Sequence, residues 1–125
     1  WFISTLTHDY EYIVTNGTLD IDRIIAKRRR KRVFTADARN FELCAPVNSD
    51  EYKDFKRQNE DNRDIKKLDA STRTGENEVW FIVATSQHDN ERYIVLFEPD
   101  KQIMDNLYRF NPRNIHYNAM TTSLK

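Results

Sequence analysis

Val79-Trp80-Phe81-Ile82-Val83-Ala84 and Tyr93-Ile94-Val95-Leu96-Phe97, joined by the polar stretch Thr85 to Arg92, decide how this sequence folds. Both apolar runs are rich in β-branched and aromatic residues, which suit a pleated, buried surface. A polar connection between them predicts an antiparallel hairpin. Neither run alternates apolar with polar. Each strand therefore needs cover on both faces, or a place in the middle of a sheet. The hairpin is expected at the centre of the core, as scaffold, with no candidate site beyond its polar tip around His88.

Upstream, Tyr10 to Thr15 reads as a strand and Asn16-Gly17 as a two-residue hairpin turn, because both residues tolerate positive φ. Thr18-Leu19 begins the return strand. The triplet Asn16-Gly17-Thr18 also matches a glycosylation sequon, but the turn explains it better. Trp1 to Ile3 is a short strand and Ser4 to Asp9 a loop. Asp20 to Arg32 admits two readings. Ile21, Ile24 and Ile25 stand at helical spacing, Asp20 can cap, and the run Lys27 to Arg32 would fall at the helix C-terminus, where cations suit the dipole. A short helix is preferred over a continued strand, although Ile21 to Arg30 does not settle the choice.

Further along, Arg32 to Thr35 is expected as a strand, Ala36 to Asn40 as a loop, and Phe41 to Ala45 as a strand ended by Pro46. Asn48-Ser49-Asp50-Glu51 starts a helix running from Asp50 to about Asn62. Asn48 or Ser49 is its cap, and Glu51 is placed for a capping box with Asn48. Tyr52 and Phe55 face inward from it. Asn62 to Glu78 is polar and reads as a mobile connection. Beyond the hairpin, Pro99-Asp100 breaks the strand, Asp100 to Asn106 is a turn or one helical turn, and Leu107 to Phe110 alternates like a strand. Asn111-Pro112-Arg113 turns the chain, and Ile115 to Tyr117 is short and apolar. The fold class is α+β: a mixed, mostly antiparallel sheet with a few short helices.

With 125 residues the chain fits one domain, residues 1–125, and is long enough for a real core. Beginning at Trp1, it reads as a domain cut from a longer protein. Twenty basic and twenty acidic residues cancel, so net charge favours neither nucleic acid nor a membrane surface. No apolar run is long enough to span a bilayer. The single cysteine, Cys44, allows no intrachain disulfide and fits a reducing compartment. Two glycines are too few for a phosphate-cradling loop.

Catalytic and metal chemistry finds little to work with. His8, His88, His116 and Cys44 show no ligand spacing, so no metal and no cofactor is expected. Cys44, between Leu43 and Ala45, reads as a buried strand residue rather than a nucleophile. Glu51-Tyr52-Lys53 matches a nuclease fragment, but Glu51 sits at a helix start, where it has a capping role. The chain is therefore read as a non-enzymatic protein-interaction module. Its partner-binding candidates are Asp22, Arg23 and Ile24, with Tyr108, Arg109 and Phe110: apolar anchors flanked by charges that set register. The alternative is a nucleic-acid-binding domain using Lys27 to Arg32 on phosphates, against a plain solvated helix end.

Phe41 to Asp61, FELCAPVNSDEYKDFKRQNED, carries a resemblance. A strand ending in proline, then an acidic-capped helix with Asp-Glu-Tyr-Lys and a following Gln-Asn, resembles the origin-recognition-complex-interacting region of the yeast silent-information-regulator silencing proteins. Tyr12 to Arg32 and the apolar stretch from Val79 are similar in order and spacing. The resemblance implies a recruitment module with two lobes in the nucleus. Its partner would be the bromo-adjacent-homology domain of the largest origin-recognition subunit, and its role transcriptional silencing in heterochromatin.

Overall fold

A computed structural model describes residues 2–26, 29–72 and 78–117. Its first third is a four-stranded antiparallel meander, β1 (Phe2–Leu6), β2 (Tyr10–Thr15), β3 (Thr18–Ala26) and β4 (Arg29–Asp37), paired in chain order. The Asn16-Gly17 turn forms as expected, with φ of +49° and +86°, the left-handed pair that a two-residue hairpin needs. The register sets Tyr12 opposite Ile21, Val14 opposite Leu19 and Ile21 opposite Phe34, all buried on one face. The other face carries Glu11, Asp20 and Asp22.

The helix preferred between Asp20 and Arg32 does not form. Residues 20–26 and 29–32 are strand, while Lys27 and Arg28 lie outside the described residues. β3 has a ladder partner on each edge, which satisfies its backbone without helical bonds. Register shifts at Ile21/Asp22 and Ile24/Ala26 break the alternation, so Ile25 points to solvent and its spacing imitates a helix. β1 also runs further than expected, because Thr5 pairs with Tyr12 and Leu6 with Glu11.

The second sheet has the order β5 (Leu43–Pro46), β7 (Trp80–Thr85), β8 (Arg92–Phe97), β6 (Lys66–Asp69). β7 and β8 are the expected hairpin, and they are covered on both sides. Trp80, Ile82, Ala84, Val95 and Phe97 pack toward the meander. Phe81, Val83, Ile94 and Leu96 lie under α1 (Asp50–Asn59), where Tyr52 meets the Phe81 ring edge-on at 4.8 Å. Burying each of these large side chains stabilises the fold by roughly 1.5–3 kcal/mol. Ser49 caps α1, its Oγ accepting from the Tyr52 N–H at 3.4 Å. No capping box forms, since Glu51 turns instead to His116, 3.6 Å away. The stretch read as a mobile connection contains β6, which pairs parallel with β8; residues 73–77 lie outside the described residues.

Where a strand was expected at Leu107 to Phe110, α2 (Lys101–Phe110) forms. Asp100 caps it, accepting from the Ile103 N–H at 2.9 Å. Ile103, Met104 and Leu107 make one buried helical stripe, and four alternating residues are too few to distinguish strand from helix. After α2 the chain returns to β5: the Cys44 N–H donates to the Asn114 carbonyl at 3.0 Å, and the His116 N–H to the Cys44 carbonyl at 2.7 Å. Tyr117 then packs on Trp80 and Tyr108. Hydrogen bonds join the two sheets, among them the Thr35 N–H donating to Ser86 Oγ at 3.1 Å. The Tyr12 hydroxyl donates to the Ala70 carbonyl at 2.5 Å and accepts from the Glu98 N–H at 3.2 Å. The Gln87 N–H donates to the Thr35 carbonyl at 2.7 Å. Two mostly antiparallel sheets with two α-helices make the mixed α+β fold that the sequence implies. Among the described residues no helix is long and apolar enough to cross a membrane.

Candidate functional site

β4 and β6 are edge strands of different sheets, and a cleft of about 250 Å³ opens between them. Val33, Leu68 and Tyr93 form its apolar floor, and Lys31, Arg32, Lys67 and His88 its basic wall. Asp89 is the acid of the lining, and it is already engaged: the Tyr93 hydroxyl donates to its Oδ2 at 2.5 Å. That bond holds the Asp89 carboxyl below the usual carboxylate range. The same bond, helped by burial, pushes the Tyr93 phenol up to about 12. Lys31 and Lys67 have no ion-pair partner among the described residues. A chain of zero net charge thus sets two unpaired lysines over a partly apolar floor. Such a place attracts an anionic group.

Two other members of the basic run, Arg30 and Arg32, are paired within the meander. Arg30 pairs with Glu11 at 3.0 Å. Arg32 donates to Asp22, which raises its affinity for the proton, and lies 3.5 Å from Asp20. These three acids lie across the sheet on the face where Arg30 and Arg32 emerge. Lys31, between them, makes no such pair and lines the cleft, which the paired Arg32 also borders.

The expected partner-binding residues fall into two separate groups. Asp22 is buried against Arg32, Arg23 lies over the Tyr10 ring at 6.0 Å, and the Ile24 N–H donates to the Asp9 carbonyl. Tyr108 packs on Tyr117, Arg109 is exposed, and Phe110 lies between Gly17 and Arg39. Gly17 precedes the start of β3, whereas Asp22 to Ile24 lie five to seven residues along it. At about 3.3 Å per residue the two groups are roughly 16–23 Å apart.

Sequence reasoning did not find Lys31, Lys67, Asp89 and Tyr93 as a group. β6 pairs with a strand that follows it by more than twenty residues, and no local pattern announces a parallel partner. Cys44 is fully buried, and burial pushes its thiol up. It has the character of a core residue, as expected. Among the described residues no cluster of three or more His, Cys, Asp or Glu could hold a metal ion.

One family model, described as a bacterial PH-like domain (DUF6106), matches residues 1–117. Among curated proteins and among solved structures, nothing matches. The match overturns the resemblance to the yeast silencing region. It points to a bacterial protein, so a nuclear location, the origin-recognition partner with its bromo-adjacent-homology domain, and a role in silencing chromatin all fall. What Phe41 to Asp61 shared was a strand, a proline stop and a capped helix, which local physics produces in unrelated folds. The nucleic-acid alternative falls as well. Among the described residues Arg29 to Arg32 are strand and not a helix end, and Arg30 and Arg32 are paired with Glu11, Asp20 and Asp22.

Proposed function

We propose, from the premise that this chain belongs to the family of bacterial PH-like domains, that it is a non-catalytic recognition module for a ligand bearing an anionic group. The observation that carries this reading is the cleft between β4 and β6. Lys31, Lys67 and His88 line it, and its acid, Asp89, is occupied by the Tyr93 hydroxyl. Val33 and Leu68 in the floor lower the local dielectric, which strengthens a charge contact made there. A non-catalytic role is in keeping with PH-like domains generally. It is further supported by the buried Cys44 and by His116 being turned to Glu51.

The test is a titration of the ¹⁵N-labelled chain with inorganic phosphate and, separately, with acetate. The expected result is saturable shifts at Lys31, Lys67, His88 and Tyr93 that weaken as salt rises. Lys31→Ala with Lys67→Ala should abolish them while leaving the spectrum of the core in place. Shifts spread evenly over surface lysines, or none that saturate, would overturn the reading.

A further inference from the structure

β6 has a hollow on each side of it. The cationic cleft lies between β6 and β4. On the opposite face of the second sheet, a hollow of about 200 Å³ opens between α1 and β6, floored by Tyr52, Phe55, Ile65 and Ile94, with Lys56 and Lys67 at its rim. Lys67 lines both cavities. β6 is the outer strand of its sheet, and its ladder runs to β8. The Ala70 N–H donates to the Leu96 carbonyl at 2.8 Å. In a parallel ladder alternate residues bond to the same neighbour. Lys66 and Leu68 therefore share the orientation of Ala70, and the N–H and C=O of Lys67 point to the open edge.

From this arrangement we propose that β6 accepts an extended acidic peptide as an added strand. Successive side chains of a strand point to opposite faces. A peptide paired on Lys67 would alternately send one side chain into the apolar hollow and the next into the cationic cleft. The sequence that fits alternates aliphatic or aromatic residues with Asp or Glu. Main-chain bonds would supply the affinity and the two hollows the selectivity, as in other strand-addition complexes. The charges agree. Lys66 and Lys67 on the edge repel another copy of themselves, which keeps an exposed edge from self-pairing, and the same lysines attract an acidic strand. Two nearby acids are weakened as competitors: Asp89 is held by Tyr93, and Glu91 lies 3.9 Å from Lys66; Glu60 borders the apolar hollow and not the cationic cleft. The inference rests on the cleft as an anion site and adds the form of the ligand.

The test uses three fluorescent six-residue peptides and the intact chain. One alternates glutamate with leucine. The second has the same composition, with three leucines followed by three glutamates. The third is the alternating peptide with its backbone amides methylated at every second position. The alternating peptide should bind by fluorescence polarisation, and both controls should bind at least tenfold more weakly. Lys67→Pro, which removes an edge N–H but no ladder bond to β8, should likewise lose binding by tenfold or more. Equal binding of the methylated or block peptide overturns strand addition. If no peptide binds while phosphate still saturates the cleft, strand addition falls and the anion site stands. If neither binds, both fall. Dimerisation in sedimentation with β6 amides protected from exchange would give the edge to a second copy, and would also overturn the peptide.

Discussion

The ring of Phe110 lies over Gly17. A Cβ built on the glycine would stand 2.6 Å from Phe110 Cδ2 and 2.7 Å from Cγ, and the Gly17 φ of +86° is one that other residues adopt under strain. The Asn16-Gly17 turn and the end of α2 are thus fitted to each other, with Arg39 stacked on the same ring at 4.4 Å. Gly17→Ala should cost about 2–4 kcal/mol, combining backbone strain with overpacking. In the double variant with Phe110→Ala, the overlap disappears and only the strain remains. Urea unfolding of the four proteins in this cycle should show a coupling of about 1 kcal/mol or more. Purely additive losses would mean that the ring does not press on the turn.

The Tyr12 hydroxyl ties the two sheets together through Ala70 and Glu98. Tyr12→Phe keeps the ring, including its edge-on contact with Phe97 at 5.7 Å, and deletes the oxygen. It should cost about 1–3 kcal/mol, because a buried carbonyl and a buried N–H both lose their partner. Burial also pushes this phenol well above its ordinary value, so Tyr12 should stay un-ionised through the alkaline range in which exposed tyrosines titrate.

The pair Asp89 and Tyr93 predicts behaviour at both ends of the pH scale. The Tyr93 phenol titrates near 12 in the folded chain, against about 10 when unfolded. Its bond therefore contributes fully below pH 10 and is lost as pH rises toward 12. The folded Asp89 value is depressed, so its contribution is present above the ordinary carboxylate range, about 4, and fades as pH falls below it. Asp89→Asn should lower the Tyr93 transition, and Tyr93→Phe should raise that of Asp89. NMR titration of each side chain in the partner's variant checks both. An unmoved transition in either would show that the bond is not maintained in solution.

Asn111 anchors the chain after α2. Its side-chain amide donates to the carbonyls of Ala38 at 2.8 Å and Phe41 at 3.2 Å, while its Oδ1 accepts from the Asn114 N–H at 3.2 Å. Asn111→Ala should cost about 2–3 kcal/mol through buried groups left unpaired. Asn111→Asp should be worse near neutral pH, because a carboxylate would face carbonyl oxygens. Thermal unfolding that ranks aspartate above alanine would contradict the donor role.

The parts of the fold that were legible in the sequence are those fixed by contacts close along the chain or by sheer apolar density. Asn16-Gly17 announces its own turn, and the runs from Trp80 and from Tyr93 leave no alternative to a covered hairpin. Where distant partners decide, the sequence misleads. Ile21, Ile24 and Ile25 imitate a helix, because two register shifts hide the strand period. Leu107 to Phe110 imitates a strand, because the stripe that makes it helical begins earlier, at Ile103. The cleft was illegible for a stronger reason. Lys31, Lys67 and His88 meet through strand order alone.

The stitching of Asn114 and His116 onto Cys44 also sets an order of events during translation. The meander pairs each strand with its chain neighbour, so it can assemble while later residues are still within the ribosome. The second sheet cannot finish in that way. Its β5 edge waits for Ile115, and Trp80 waits for Tyr117. A nascent chain stalled before Asn114 would expose an unpaired strand edge beside uncovered aromatic surface, a template for pairing with other chains. The last described residues thus act as the latch of the fold, closing the β5 edge and covering Trp80 when they emerge.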